Sequence, residues 1–200
     1  MKTDVIMVSS KGKRMEAALE QVEKAAAYKG LSAKNTLQLR LLTEEMLGMM
    51  RTLTGETEGK FWMEDKDGEY QLHLQVEARL TSERREQLLS VSSSGKNESA
   101  RGLMSRLRDF FDWGSDGDLS EWSSPLLVPE ALEYSSSPAL DLEWSMMRYE
   151  SALSARIDMD DAAKEAWDEL EKSVVKNVAD DVRVSIRNGV IEMIILKKME

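Results

Sequence analysis

Glu44 and Glu45 sit where packing alone does not account for a carboxylate. Leu41, Glu45 and Met49 are four residues apart, so on a helix Glu45 shares a face with apolar neighbours, where a charge is costly unless paired. That placement marks a candidate site. The plainer alternative puts Glu45, or Glu44, at the edge of the apolar stripe with its oxygens in water. A second group lies in SSSGKNESARGLMSRL, where Gly95, Lys96, Arg101 and Gly102 precede or open a helical stretch. By themselves these residues mean only a turn before a helix. His73 falls on the polar face of an alternating run and reads as an exposed strand residue. Asp158, Asp160 and Asp161 read as helix-capping, solvated acids rather than a reactive pair.

Several chemistries are closed to this chain. There is no cysteine among its 200 residues, which removes thiolate metal sites, disulfides and thiol nucleophiles. One histidine rules out a multi-histidine metal site, and neither a P-loop nor a nucleophile elbow is present. No apolar run nears the ~20 residues of a membrane span, and the N-terminal MKTDVIMVSSKGKR lacks the core of a signal peptide, so a cytoplasmic location is expected.

Charge is distributed unevenly. The formal total is −10, yet residues 112–170 alone carry −12 and leave the remainder at +2. An acidic segment of that kind repels phosphate backbones, which argues against a nucleic-acid binder. The length suits one domain spanning 1–200, with 112–170 as an acidic insertion that packs in part, through residues such as Trp122 and Leu126.

The elements that must position the candidates follow from periodicity. Asp4–Val8 reads as a short strand. A helix from about Lys13 to Lys29 carries Ala18, Leu19, Val22 and Ala26 on one stripe and stops at Gly30. A second, Ala33 to Leu53, carries Leu37, Leu41, Leu42, Met46, Met49 and Met50. Lys60–Glu64 and Glu69–Arg79 read as strands of a hairpin turning at Asp67-Gly68, with Tyr70, Leu72, Leu74 and Val76 facing the core. Short helices are expected after Ser82 and over ARGLMSRLRDFF. Leu140–Ala155 reads as helical, and Met159–Val178 as one helix opened by Asp160. A last hairpin, DDVRVSIRNGVIEMIILKK, turns at Asn188-Gly189. Together these predict a two-layer α/β sandwich: a largely antiparallel mixed sheet with helices on one face, both hairpins belonging to the same sheet.

In this order, two helices with LRLLTEEMLGMMRTLTG in the second, the hairpin ending LHLQVEARL, the ARGLMSRLRDFF helix and the final hairpin, the chain resembles the GHKL (histidine kinase-like) ATP-binding fold. The branch it is most similar to is that of the bacterial anti-sigma-factor serine kinases, over residues 1–111 and about 171–200. The resemblance implies ATP as cofactor. It assigns the orienting or activating carboxylate to Glu45 and places Met49 where the family has the Mg²⁺-holding Asn. It also places Ala78 where the family's Asp reads adenine, with Leu80 at a lost glycine. Lys96, Arg101 and Gly102 fall in the phosphate-contacting lid.

A thioether is a poor ligand for Mg²⁺, which takes hard oxygen donors, so no bound metal is expected and ATP binding should be weak or absent. The expected function is therefore a degenerate ATPase domain that binds a protein partner in bacterial signalling, with sigma-factor control the setting that the resemblance implies. An active serine kinase or ATPase of the same superfamily is the alternative, and an unrelated α/β interaction domain a third.

Overall fold

The turn at Asp67-Gly68 organises the first half of the molecule. In the computed structural model, which describes residues 1–54, 57–77, 132–134, 142–187 and 190–199, both turn residues have positive φ, 54° and 87°. That is the type I′ geometry whose twist matches a two-residue hairpin, and Asp65 Oδ1 accepts from the Gly68 N–H at 3.0 Å. It joins β2 (Glu58–Lys66) to β3 (Glu69–Glu77). On the outer side of β2 lies β1 (Ile6–Ser9), paired Ile6 to Phe61 and Val8 to Gly59.

The second hairpin, β6 (Asp181–Arg187) and β7 (Val190–Lys198), docks beside the first. β3 and β7 pair antiparallel along their whole length, from Glu69 with Lys198 to Glu77 with Val190. Two further strands, β4 (Leu132–Tyr134) and β5 (Leu142–Ser145), extend the sheet beyond β6. The result is one open seven-stranded sheet in the order β1-β2-β3-β7-β6-β5-β4. Every pair is antiparallel rather than mixed, and β4 and β5 come from the acidic segment 112–170.

Strand alternation sends Phe61, Met63, Leu72, Leu74, Met193, Ile195, Val182 and Val184 to one face, and the helices cover it. Helix α1 (Met15–Tyr28) buries Ala18, Leu19, Val22, Ala25 and Ala26. It ends as the spacing predicts. Gly30, at φ 71°, lets its own N–H reach Ala27 O and the Leu31 N–H reach Ala26 O, a Schellman closure that satisfies two end carbonyls. Helix α2 (Ala33–Thr54) buries Leu39, Leu42, Met46, Leu47, Met49 and Met50. Leu37, expected in the stripe, is 65% exposed, and Leu39 takes the inward position instead. The apolar face is rotated from the one that counting from Leu37 implies.

Two expected helices differ in form. Leu140–Ala155 is a strand followed by a helix, α3 (Met146–Ser154). Trp144 pairs with Val184 and is 2% exposed in the core, while Ser145 Oγ caps the helix at the Arg148 N–H, so the strand ends where the cap begins. Met159–Val178 is two helices, α4 (Asp161–Glu171) and α5 (Val174–Val178). Ser173 breaks the run, its hydroxyl accepting from Lys176 N, while Asn177 Nδ2 donates to Glu171 O and Ser173 O. As a result Val175 rather than Val174 is the buried residue. The helices expected after Ser82 and over residues 100–111, and the Asn188-Gly189 turn, lie outside the described residues. Among the described residues no helix is long and apolar enough to cross a membrane.

Candidate functional site

Helix α2 presents Glu44 and Glu45 to different surroundings. Arg40, one turn earlier, sits 3.5 Å from Glu44, and also 2.6 Å from Glu23 of α1, so Glu44 belongs to an exposed ion cluster clamping the two helices. Glu45 is half-buried, and among the described residues it has no cationic partner. Burial pushes its carboxyl above the usual range, and the neighbouring Glu44 charge adds to that. A carboxylate with raised proton affinity is what a general base or an orienting group needs. Glu45 thus stands at the edge of the apolar face of α2, half-buried.

Met49, one turn on from Glu45, is 4% exposed and belongs to the core cluster that also holds Leu42, Met46 and Met50. Its thioether fills space under the sheet. Nothing about that setting offers an oxygen donor to a cation, and among the described residues no group of acids and histidine could hold a metal. Ala78, Lys96, Arg101 and Gly102 lie outside the described residues. Of the six candidates, the described residues therefore hold two, Glu45 and Met49, both on helix α2. A surface cavity of about 290 Å³ beside α3 is lined by Arg148, Ser151, Ala152, Ala155 and Arg156, none of them a candidate.

The residue that periodicity misplaces is His73. It stands on the sheet face away from the helices, as alternation requires, but it is 6% exposed rather than solvated. Cross-strand pairing sets it between Trp62 on β2 and Ile194 on β7. The Trp62 ring stacks on it, centroids 4.7 Å apart and planes 7° from parallel. Among the described residues neither ring nitrogen has a hydrogen-bond partner, and Nδ1 is 3.6 Å from Glu192 Oε1, too long for a bond. On its other flank Trp62 carries Lys2, whose ammonium is 4.9 Å from the ring centroid. Glu64 gathers this group by accepting from Lys2 at 3.1 Å and from the Trp62 indole N–H at 3.0 Å. Those two bonds, Lys2 first, hold its carboxyl down to about 2. An aromatic residue directly opposite a histidine in a two-residue hairpin is a signal that register counting from Asp67-Gly68 could have found.

Comparison with protein-family models, with curated proteins and with solved structures returned no match.

Proposed function

We infer that the chain is a degenerate histidine kinase-like ATPase domain that acts by binding another protein, in signalling of the sigma-factor-control kind. The order of elements supports the reading: two helices, a hairpin, and a distant second hairpin closing the same antiparallel sheet beneath those helices. The observation that carries it is Met49. At the position that the resemblance assigns to a metal-holding amide, this chain has a thioether sealed into the core, where it contributes packing and no ligation.

The active serine kinase or ATPase remains as a second reading on one observation, the raised carboxyl of Glu45, which has no cationic partner among the described residues. Calorimetry separates the two. The degenerate reading expects no more heat for ATP with Mg²⁺ than for pyrophosphate, and no change in Glu45→Ala. A micromolar, Mg²⁺-dependent dissociation constant for ATP that collapses in Glu45→Ala overturns it in favour of the enzyme. A protein partner is tested by co-purification of the intact chain from a bacterial host and by direct titration with the captured protein.

A further inference from the structure

The single histidine of the chain is buried on the sheet face opposite the helices, with neither ring nitrogen bonded among the described residues and the Glu192 carboxylate 3.6 Å from Nδ1. We propose that His73 is a proton-operated device in this fold: neutral, it packs as an aromatic plate on Trp62, and protonated, it becomes a cation that draws Glu192 into a direct bond at Nδ1 and lowers the stability of the sheet.

The geometry supplies both states. In the neutral state the ring is held by shape alone, stacked on Trp62 and flanked by Ile194, and its one N–H is left without an acceptor. Proton uptake makes both nitrogens donors. Glu192 on β7 is 3.6 Å from Nδ1 and about one-third exposed, so a small side-chain movement closes the gap. Among the described residues, three charged groups act on the ring, with a fourth beyond Trp62. β7 contributes Glu192, β2 contributes Glu64 and Lys66, and Lys2 lies beyond Trp62. Glu64 is already committed to Lys2 and Trp62, and an imidazolium added beside Trp62 brings a second cation to a ring that already bears Lys2.

Burial sets the direction. Desolvation of the ring outweighs the pull of Glu64 and Glu192 and holds the imidazole below its ordinary 6.5. The unfolded chain therefore takes up the proton first. The stability contributed by neutral His73 is complete above the unfolded value and is lost as pH falls from about 6.5 towards the folded midpoint. The folded-to-unfolded ratio drops by up to tenfold for each unit separating the two midpoints.

With only one histidine, the Hε1 proton resonance of the intact chain reports the titration without ambiguity. Its midpoint is expected below 6.5, and lower still in Glu192→Gln, which removes the acceptor that the imidazolium would use. Urea denaturation at pH 7.5 and at pH 5 should show the advantage of wild type over His73→Gln shrinking in acid. A midpoint at or above 6.5, or one unmoved by Glu192→Gln, overturns the proposal. So does a stability difference that is the same at both pH values. Should His73→Gln fail to fold, the two resonance titrations decide alone.

Discussion

Ser145 Oγ lies 3.1 Å from the Asp181 carboxylate and donates to it, tying the end of β5 to the start of β6. The same carboxylate accepts from the Met147 N–H at 3.1 Å, from its neighbour Val182 N–H at 2.9 Å and from Arg183 Nε at 2.9 Å. One buried acid thus caps α3 and fixes where a strand becomes a helix. Asp181→Ala should leave those donors without an acceptor and cost about 2–4 kcal/mol, whereas Ser145→Ala should cost about 1. Urea denaturation of the two variants and of the double variant checks this. Shared bonding predicts that the double variant loses less than the sum.

Met49→Asn distinguishes a lost ligand position from a core position. Under the degenerate reading, the amide enters a site that is 4% exposed and apolar, and stability should fall by about 1–3 kcal/mol with no gain of Mg²⁺-dependent nucleotide binding. Recovery of ATP binding at unchanged stability would show that the position faces a cleft. Melting temperature and calorimetry on the same sample read both outcomes.

Much of this architecture is legible in the sequence because local chemistry decides it. Asp67-Gly68 can take two positive φ values, and Gly30 can close α1, whatever lies elsewhere in the fold. Errors fall where a distant residue decides. Trp144 and Ser145 read as helix because the cap partner, Asp181, is 36 residues away, and β5 has no strand signature of its own. His73 reads as solvated because alternation assigns a face but not its occupants. Trp62 and Ile194, its cross-strand neighbours, come from two other strands. Of the candidate site, the shared helical spacing of Glu45 and Met49 is readable. The Arg40–Glu44 pair follows from i,i+4 spacing within α2 and is readable too. How deeply Glu45 is buried depends on the rotation of α2 against the sheet, which the exposed Leu37 shows was not fixed by counting.

Acid should weaken the fold in a second window, below that of His73. Glu64, held at about 2 by Lys2 and the Trp62 N–H, has a folded value below its ordinary 4.5. Asp65, nearly buried and paired with Lys29 at the end of α1, is lowered as well. Depressed carboxylates contribute stability that is present above the unfolded value and lost as pH falls through the folded one, so the loss runs from about 4.5 down towards 2. Glu64→Gln should cost about 1–2 kcal/mol at pH 7 and flatten that part of the profile. Denaturation midpoints taken from pH 6 to pH 2 test this. A profile unchanged in Glu64→Gln would place the acid sensitivity elsewhere.

At Gly59 the end of the Met50 side chain of α2 comes up against β2. The glycine is buried on β2 opposite Val76, and a Cβ added there would lie 3.1 Å from each of Gln75 O, Met50 Cε and Val76 Cγ2. The backbone is ordinary strand, so the requirement is one of space rather than of φ. Of the three obstacles only the Met50 methyl sits at the end of a flexible side chain. The Gln75 carbonyl belongs to the β2–β3 ladder and cannot retreat without disturbing it. Gly59→Ala should therefore destabilise by about 1–3 kcal/mol through overpacking. Met50→Ala, which opens a cavity alone, should recover only part of that loss when combined with it, because the carbonyl contact remains. Urea denaturation of the two single variants and the double variant gives the coupling. Full recovery would locate the whole conflict at Met50, and an unaffected Gly59→Ala would mean that all three neighbours yield at no cost.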